Sequence, residues 1–131
     1  MREQLVSEKV AILAKEKDFP QTLDVGITCR IKNKVNVYYE KVRPVTESDL
    51  DNSWSIFEEI YPTQSVLQKW LREEHKIDIV ICPIGNIELV TTGYYYEIPL
   101  GINEPNIESD SFETYEEALE VGLQQALTLI K

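Results

Sequence analysis

Pro62 to Cys82, PTQSVLQKWLREEHKIDIVIC, holds a helix pattern and a strand pattern back to back. Thr63 offers a side-chain oxygen to the free amides of a first helical turn. Val66, Leu67, Trp70 and Leu71 recur at three- and four-residue spacing, so 63–75 reads as a capped amphipathic helix. The period then switches from 3.6 to 2. In IDIVIC, Ile77, Ile79 and Ile81 share one face while Val80 and Cys82 occupy the other, which predicts a strand covered on both sides or central in its sheet.

On the N-terminal side, Arg43 to Tyr61 starts acidic and polar and ends aromatic. Trp54, Phe57 and Tyr61 fall at helical spacing, so a short helix or turn is expected to pin this connection. Before it, Leu23, Val25, Ile27, Cys29 and Ile31 alternate with Asp24, Gly26, Thr28, Arg30 and Lys32 as a half-buried strand does. A three-residue loop, Lys32-Asn33-Lys34, would return the chain with Ile31 opposite Val35, Cys29 opposite Val37 and Ile27 opposite Tyr39. Glu3 to Lys17 carries Leu5, Val6, Val10 and Leu13 at helical spacing, and Pro20 cannot continue it.

Toward the C-terminus, Gly85-Asn86 signals a turn, and Ile87 to Ile98 returns as a strand. Its alternation slips by one residue between Thr91 and Tyr94, which a bulge at Gly93 would explain. Gly101 to Ser111 is loop-like. Thr114-Tyr115-Glu116-Glu117 fits a capping box. The helix it opens has a stripe of Ala118, Leu119, Gly122, Leu123, Ala126, Leu127 and Ile130, whose small members would let it lie close on a sheet. The expectation is one α+β domain over residues 1–131, about four mainly antiparallel strands packed by helices at 3–17, 63–75 and 114–130, in the order α-β-β-α-β-β-α.

Charge is uneven. Residues 1–76 hold 12 Lys and Arg against 13 Asp and Glu, whereas residues 77–131 hold Lys131 alone against 10 acids, within a total of −10. Direct nucleic-acid binding needs a clustered basic face and is not expected. No apolar run is long enough to span a bilayer, and charges interrupt Met1 to Pro20, so a cytoplasmic protein without membrane association is expected. Cys29 and Cys82 each fall in a strand without a neighbouring cysteine, which suits buried structural thiols in a reducing compartment.

Three blocks, ILAKEKDF, PTQSVLQKWLREEHKIDI and FETYEEALEVGLQQALTLIK, carry a resemblance. Through them the chain resembles an uncharacterised family of small proteins encoded by gut anaerobic bacteria and often by their phages and mobile elements. No reaction, cofactor or catalytic residue is assigned to that family. The resemblance therefore implies a genomic setting and no site.

The residues point to no catalytic, metal or cofactor set. Glu47, Asp49, Asp51 and Glu58 occupy positions one, three, five and twelve of a calcium-loop spacing, but Asn52 stands where the loop needs glycine, and a polar loop capped by Asp49, Asp51 or Ser53 accounts for the pattern. His75 is the only histidine. It follows the last turn of its helix, where it suits the C-terminal dipole. It cannot activate Cys82, up to about 20 Å away along the strand. Tyr94, Tyr95 and Tyr96 put rings on both faces of one strand, as core packing or as a stacking surface.

The leading expectation is a non-enzymatic accessory protein that binds an unknown protein partner or its own copies. The alternatives are a small-molecule-binding protein or enzyme with a tyrosine-lined pocket, and an acidic nucleic-acid mimic using Glu113, Glu116, Glu117 and Glu120 on the outer face of the last helix. The interaction candidates are Tyr94, Tyr96, Glu113 and Glu120.

Overall fold

The computed structural model describes residues 4–33, 40–51, 55–85, 88 and 90–130. The chain is α+β and divides into two compact units, Leu5–Pro62 and Thr63–Lys131 with Met1–Gln4. Among the described residues there are four helices and six strands, and the strands form two separate three-stranded antiparallel sheets. This corrects the expected single four-stranded sheet, and the order becomes α-β-β-α-β-α-β-β-β-α.

In the first unit, helix α1 (Glu8–Glu16) begins later than the apolar pattern suggests, because Ser7 caps it by accepting from the Val10 amide at 3.3 Å. It ends where Asp18 turns left-handed, at φ 68°, and the Phe19 amide reaches back to the Ala14 carbonyl at 2.9 Å. Val10, Ala11 and Ala14 form its buried face, while Leu5 is exposed.

Strand β1 (Thr28–Asn33) also starts late. Asp24 folds the preceding residues into a turn: its Oδ1 accepts from Val25 N at 2.8 Å, its carbonyl accepts from Ile27 N at 3.2 Å, and Gly26 takes φ 93°. Leu23 and Val25, expected on the core face, are left exposed. Strand β2 (Glu40–Pro44) pairs with β1 so that Cys29 lies opposite Arg43 and Ile31 opposite Lys41. The expected partners Val35, Val37 and Tyr39 lie outside the described residues.

After a one-turn helix α2 (Glu47–Asp51), strand β3 (Ser55–Ile60) takes the other side of β1. It replaces the helix or turn expected around Phe57, and Trp54 lies outside the described residues. The strand carries a register shift: Cys29 pairs with Ile60 but Ile31 with Phe57, so two inward residues of β3 are separated by three positions instead of two. A bulge thus imitates helical spacing. Cys29, Ile31, Val45 and Ile60 form a buried cluster, with Ile27 and Phe57 packed against it. The outer edge of β3 is occupied by side chains, since Gln21 Oε1 accepts from Ile60 N at 3.2 Å and Lys15 Nζ donates to Glu58 O at 3.5 Å.

In the second unit, helix α3 (Gln64–His75) is capped by Thr63 as its sequence indicates, with Val66 N donating to Oγ1 at 3.3 Å. Leu67 and Leu71 are buried, whereas Val66, counted in the expected stripe, is exposed. Strand β4 (Val80–Gly85) is an edge strand and not a central one, in the order β4-β5-β6. Pro83 within it has no amide to give to a further strand, so an edge position suits it.

Strand β5 (Thr91–Ile98) lies between β4 and the two-residue β6 (Ile107–Glu108). Ile84 pairs with Gly93 and Gly85 with Thr91, which leaves Thr92 as the extra residue, one position before the expected bulge. Gly93 itself answers to close approach, because a Cβ there would lie 2.9 Å from the Phe112 carbonyl oxygen. Helix α4 (Tyr115–Thr128) is capped by Thr114, whose hydroxyl accepts from Glu117 N at 3.1 Å, and buries the expected stripe from Ala118 to Leu127. Gly122 brings it onto the sheet: a Cβ at this position would stand 2.9 Å from Ile79 Cγ2 and 3.2 Å from Tyr96 Cγ.

Candidate functional site

Side chains alternate across a strand, so the contact of Gly122 with Tyr96 fixes which face of the second sheet looks toward α4. Tyr94, Tyr96 and Ile98 take that side. Tyr96 stacks on Phe112, with ring centroids 6.4 Å apart and planes 20° apart, and burial pushes its phenol up. Tyr94 meets Tyr115 edge-on at 6.0 Å. Two of the four interaction candidates therefore spend their rings on packing within the unit.

The two acidic candidates are not brought together on one helix face. Glu113 is exposed and precedes the Thr114 cap, outside α4. Glu120 is half-buried, and its Oε1 accepts from Gln64 Nε2 at 3.1 Å, a donor that also reaches Glu116 O at 3.0 Å. Glu116 and Glu117 stand exposed in the first turn, where the helix dipole favours acids.

The opposite face of the sheet presents a different set. Val80, Cys82 and Ile84 point outward from β4, Tyr95 and Glu97 from β5 and Glu108 from β6. The register sets Val80 opposite Glu97, Cys82 opposite Tyr95 and Glu97 opposite Glu108. Val80 and Glu108 are exposed, and Cys82, Ile84, Tyr95 and Glu97 are half-exposed. Cys82 is therefore not the buried thiol expected, whereas Cys29 is fully buried and its thiol is pushed up mainly by desolvation.

The Tyr95 phenol is raised above its usual range, first by its hydrogen bond to Cys82, then by the electrostatic influence of Cys82 and Glu97, with smaller contributions from desolvation and Glu108. Tyr95 is not among the four candidates that the sequence offers, whereas its neighbours Tyr94 and Tyr96 are. The signal that separates them is parity: once Ile98 is core, residues 96 and 94 follow it inward and 97 and 95 face outward.

Polar groups elsewhere are engaged in holding elements together. In the first unit, Arg30 Nη2 meets Glu8 at 2.5 Å and the Tyr61 hydroxyl at 2.8 Å, while its Nε faces Glu59 at 3.0 Å. This ties α1, β1 and the end of β3. Asp49 receives both guanidinium nitrogens of Arg43 at 2.6 Å and the Thr46 amide at 2.8 Å, and Thr46 Oγ1 accepts from Asp49 N at 3.3 Å in return. The Arg43 guanidinium holds the Asp49 carboxyl well below the usual carboxylate range. With both oxygens taken and Glu47 to Asp51 helical, the calcium-loop spacing is a helix cap joined to an ion pair. His75, the last residue of α3, meets the Trp70 ring edge-on at 4.6 Å.

Among the described residues no three His, Cys, Asp or Glu side chains are placed to hold a metal ion, and no helix is long and apolar enough to cross a membrane. No protein-family model, curated protein or solved structure matches the chain.

Proposed function

We propose that this chain is a non-enzymatic protein-binding module, an accessory protein of a phage or mobile element, whose contact surface is the outer face of the β4-β5-β6 sheet. The observation that carries this reading is Tyr95, set at the centre of a face built from Val80, Cys82 and Ile84 and bordered by Glu97 and Glu108. A tyrosine ring amid partly exposed aliphatic groups, with charge at the margin, is the composition of an interface core and rim. Recognition through the face is favoured over addition of a strand at β4 or β3, because Pro83 blunts the β4 edge and Gln21 and Lys15 occupy that of β3. The likeness of PTQSVLQKWLREEH and TYEEALEVGLQQALTLIK to phage-associated proteins supports an accessory role.

The test is photo-crosslinking in native host cells, with benzoylphenylalanine at position 95 and, as control, at the exposed position 121 of α4. A discrete adduct from position 95 alone supports the reading. No adduct at 95, or the same adducts from both positions, overturns it. A dimer of the chain itself, identified by adduct mass, assigns the face to self-association.

A further inference from the structure

Glu97 and Glu108 lie directly opposite each other on adjacent strands. Such residues have Cβ atoms about 4.5–5.5 Å apart, and like charges in this arrangement destabilise the sheet. Nothing nearby in sequence offsets them: residues 77–130 contain no Lys or Arg. Among the described residues neither carboxylate enters an ion pair. By contrast, Glu8, Glu58, Glu59 and Asp49 of the first unit all meet cations. On the same face, two residues from Glu97 along β5, is the half-exposed Tyr95 ring.

We infer that Glu97, Glu108 and Tyr95 form a seat for an arginine side chain of a partner protein, whose apolar neighbours cover Val80, Cys82 and Ile84. This rests on the proposed docking face and names what that face selects. A guanidinium matches the three groups together, since it is planar, donates in parallel to carboxylates and stacks on aromatic rings. A compact ammonium matches only the charge. A second copy of the chain is disfavoured as occupant, because a two-fold contact through this face would bring four carboxylates together. The folding cost of the Glu97–Glu108 pair is then recovered when a partner's cation arrives.

The inference is tested by amide chemical shifts of the full chain titrated with an acetylated, amidated peptide alternating leucine and arginine. Parallel arms use the leucine–glutamate peptide, arginine amide alone and calcium chloride. The expected result is saturable shifts in 80–82, 84, 93–97 and 107–108 with the arginine peptide only. Affinity should fall about tenfold in Glu97→Gln or Glu108→Gln, and each substitution should raise the melting temperature of the free chain, which a merely structural acid would not do.

Several results overturn the inference. These are equal binding of the glutamate peptide, shifts spread equally over Glu116 and Glu117, an equal response to calcium or to arginine amide, or no shift at the face. If a crosslink from position 95 persists in any of these cases, the docking face stands and only its selection of an arginine-bearing partner segment falls. If the crosslink is absent as well, both fall.

Discussion

Gly122→Ala sets two effects of known size against each other in α4. Alanine is the best helix former and glycine among the worst, so on propensity alone the substitution should stabilise the helix by about 1 kcal/mol. The new methyl, however, would stand 2.9 Å from Ile79 Cγ2 and 3.2 Å from Tyr96 Cγ. Carbon atoms pack best at about 3.5–4.0 Å.

Neither neighbour can move aside. Cγ2 is fixed at the Ile79 branch point, Cγ is the root of the Tyr96 ring, and the two residues are only 2% and 5% exposed. The helix must therefore lift by roughly half an ångström or more, and Ala118, Leu123 and Ala126 lift with it. Overpacking of this kind costs about 1–3 kcal/mol, so the net effect should be a loss of about 1 kcal/mol.

The measurement is denaturant-dependent hydrogen exchange of amides in α4 and β5, which reports on this unit whether or not the other unfolds with it. Ile79→Ala removes the closest obstacle. In that background Gly122→Ala should be neutral or stabilising, a coupling of at least about 0.5 kcal/mol between the two sites. A rise in stability for Gly122→Ala alone, near the propensity value, would refute the close approach of α4 to the sheet.

The remaining predictions concern the ion pair and the two thiols. Asp49→Asn removes a doubly bonded carboxylate from Arg43 and should destabilise the first unit by about 2 kcal/mol, measured by denaturant unfolding. Because the folded carboxyl is held below its ordinary value, its contribution is fully present above about pH 4 and fades as pH falls toward the lowered value. The difference between wild type and Asp49→Asn should therefore shrink in strong acid and stay constant near neutrality. In native buffer a thiol reagent should label Cys82 rapidly and Cys29 only after denaturation, read by mass spectrometry of the digested chain. Equal rates would show that Cys29 is not held inside the first sheet.

The parts of this protein that are legible in its amino-acid order are those whose causes are local. Thr63 and Thr114 cap their helices because a side-chain oxygen two or three residues from a free amide acts without help from the rest of the chain. The stripe Ala118, Gly122 and Ala126 forecast a helix seated tightly on a sheet, and one lies there. Period-two alternation located the strands around Cys29, Ile81 and Tyr96.

How those strands are partitioned depends on long-range pairing. Hydrogen bonds between distant segments leave no periodic mark: β6 is two residues long and is defined by its pairing to β5. In β3, Phe57 and Ile60 took on helical spacing because a bulge opposite Cys29 and Ile31 inserted one residue. The outer face escaped for the same reason. Glu97 and Glu108 are eleven positions apart in the chain, and only strand pairing turns two ordinary acids into a like-charged pair beside Tyr95.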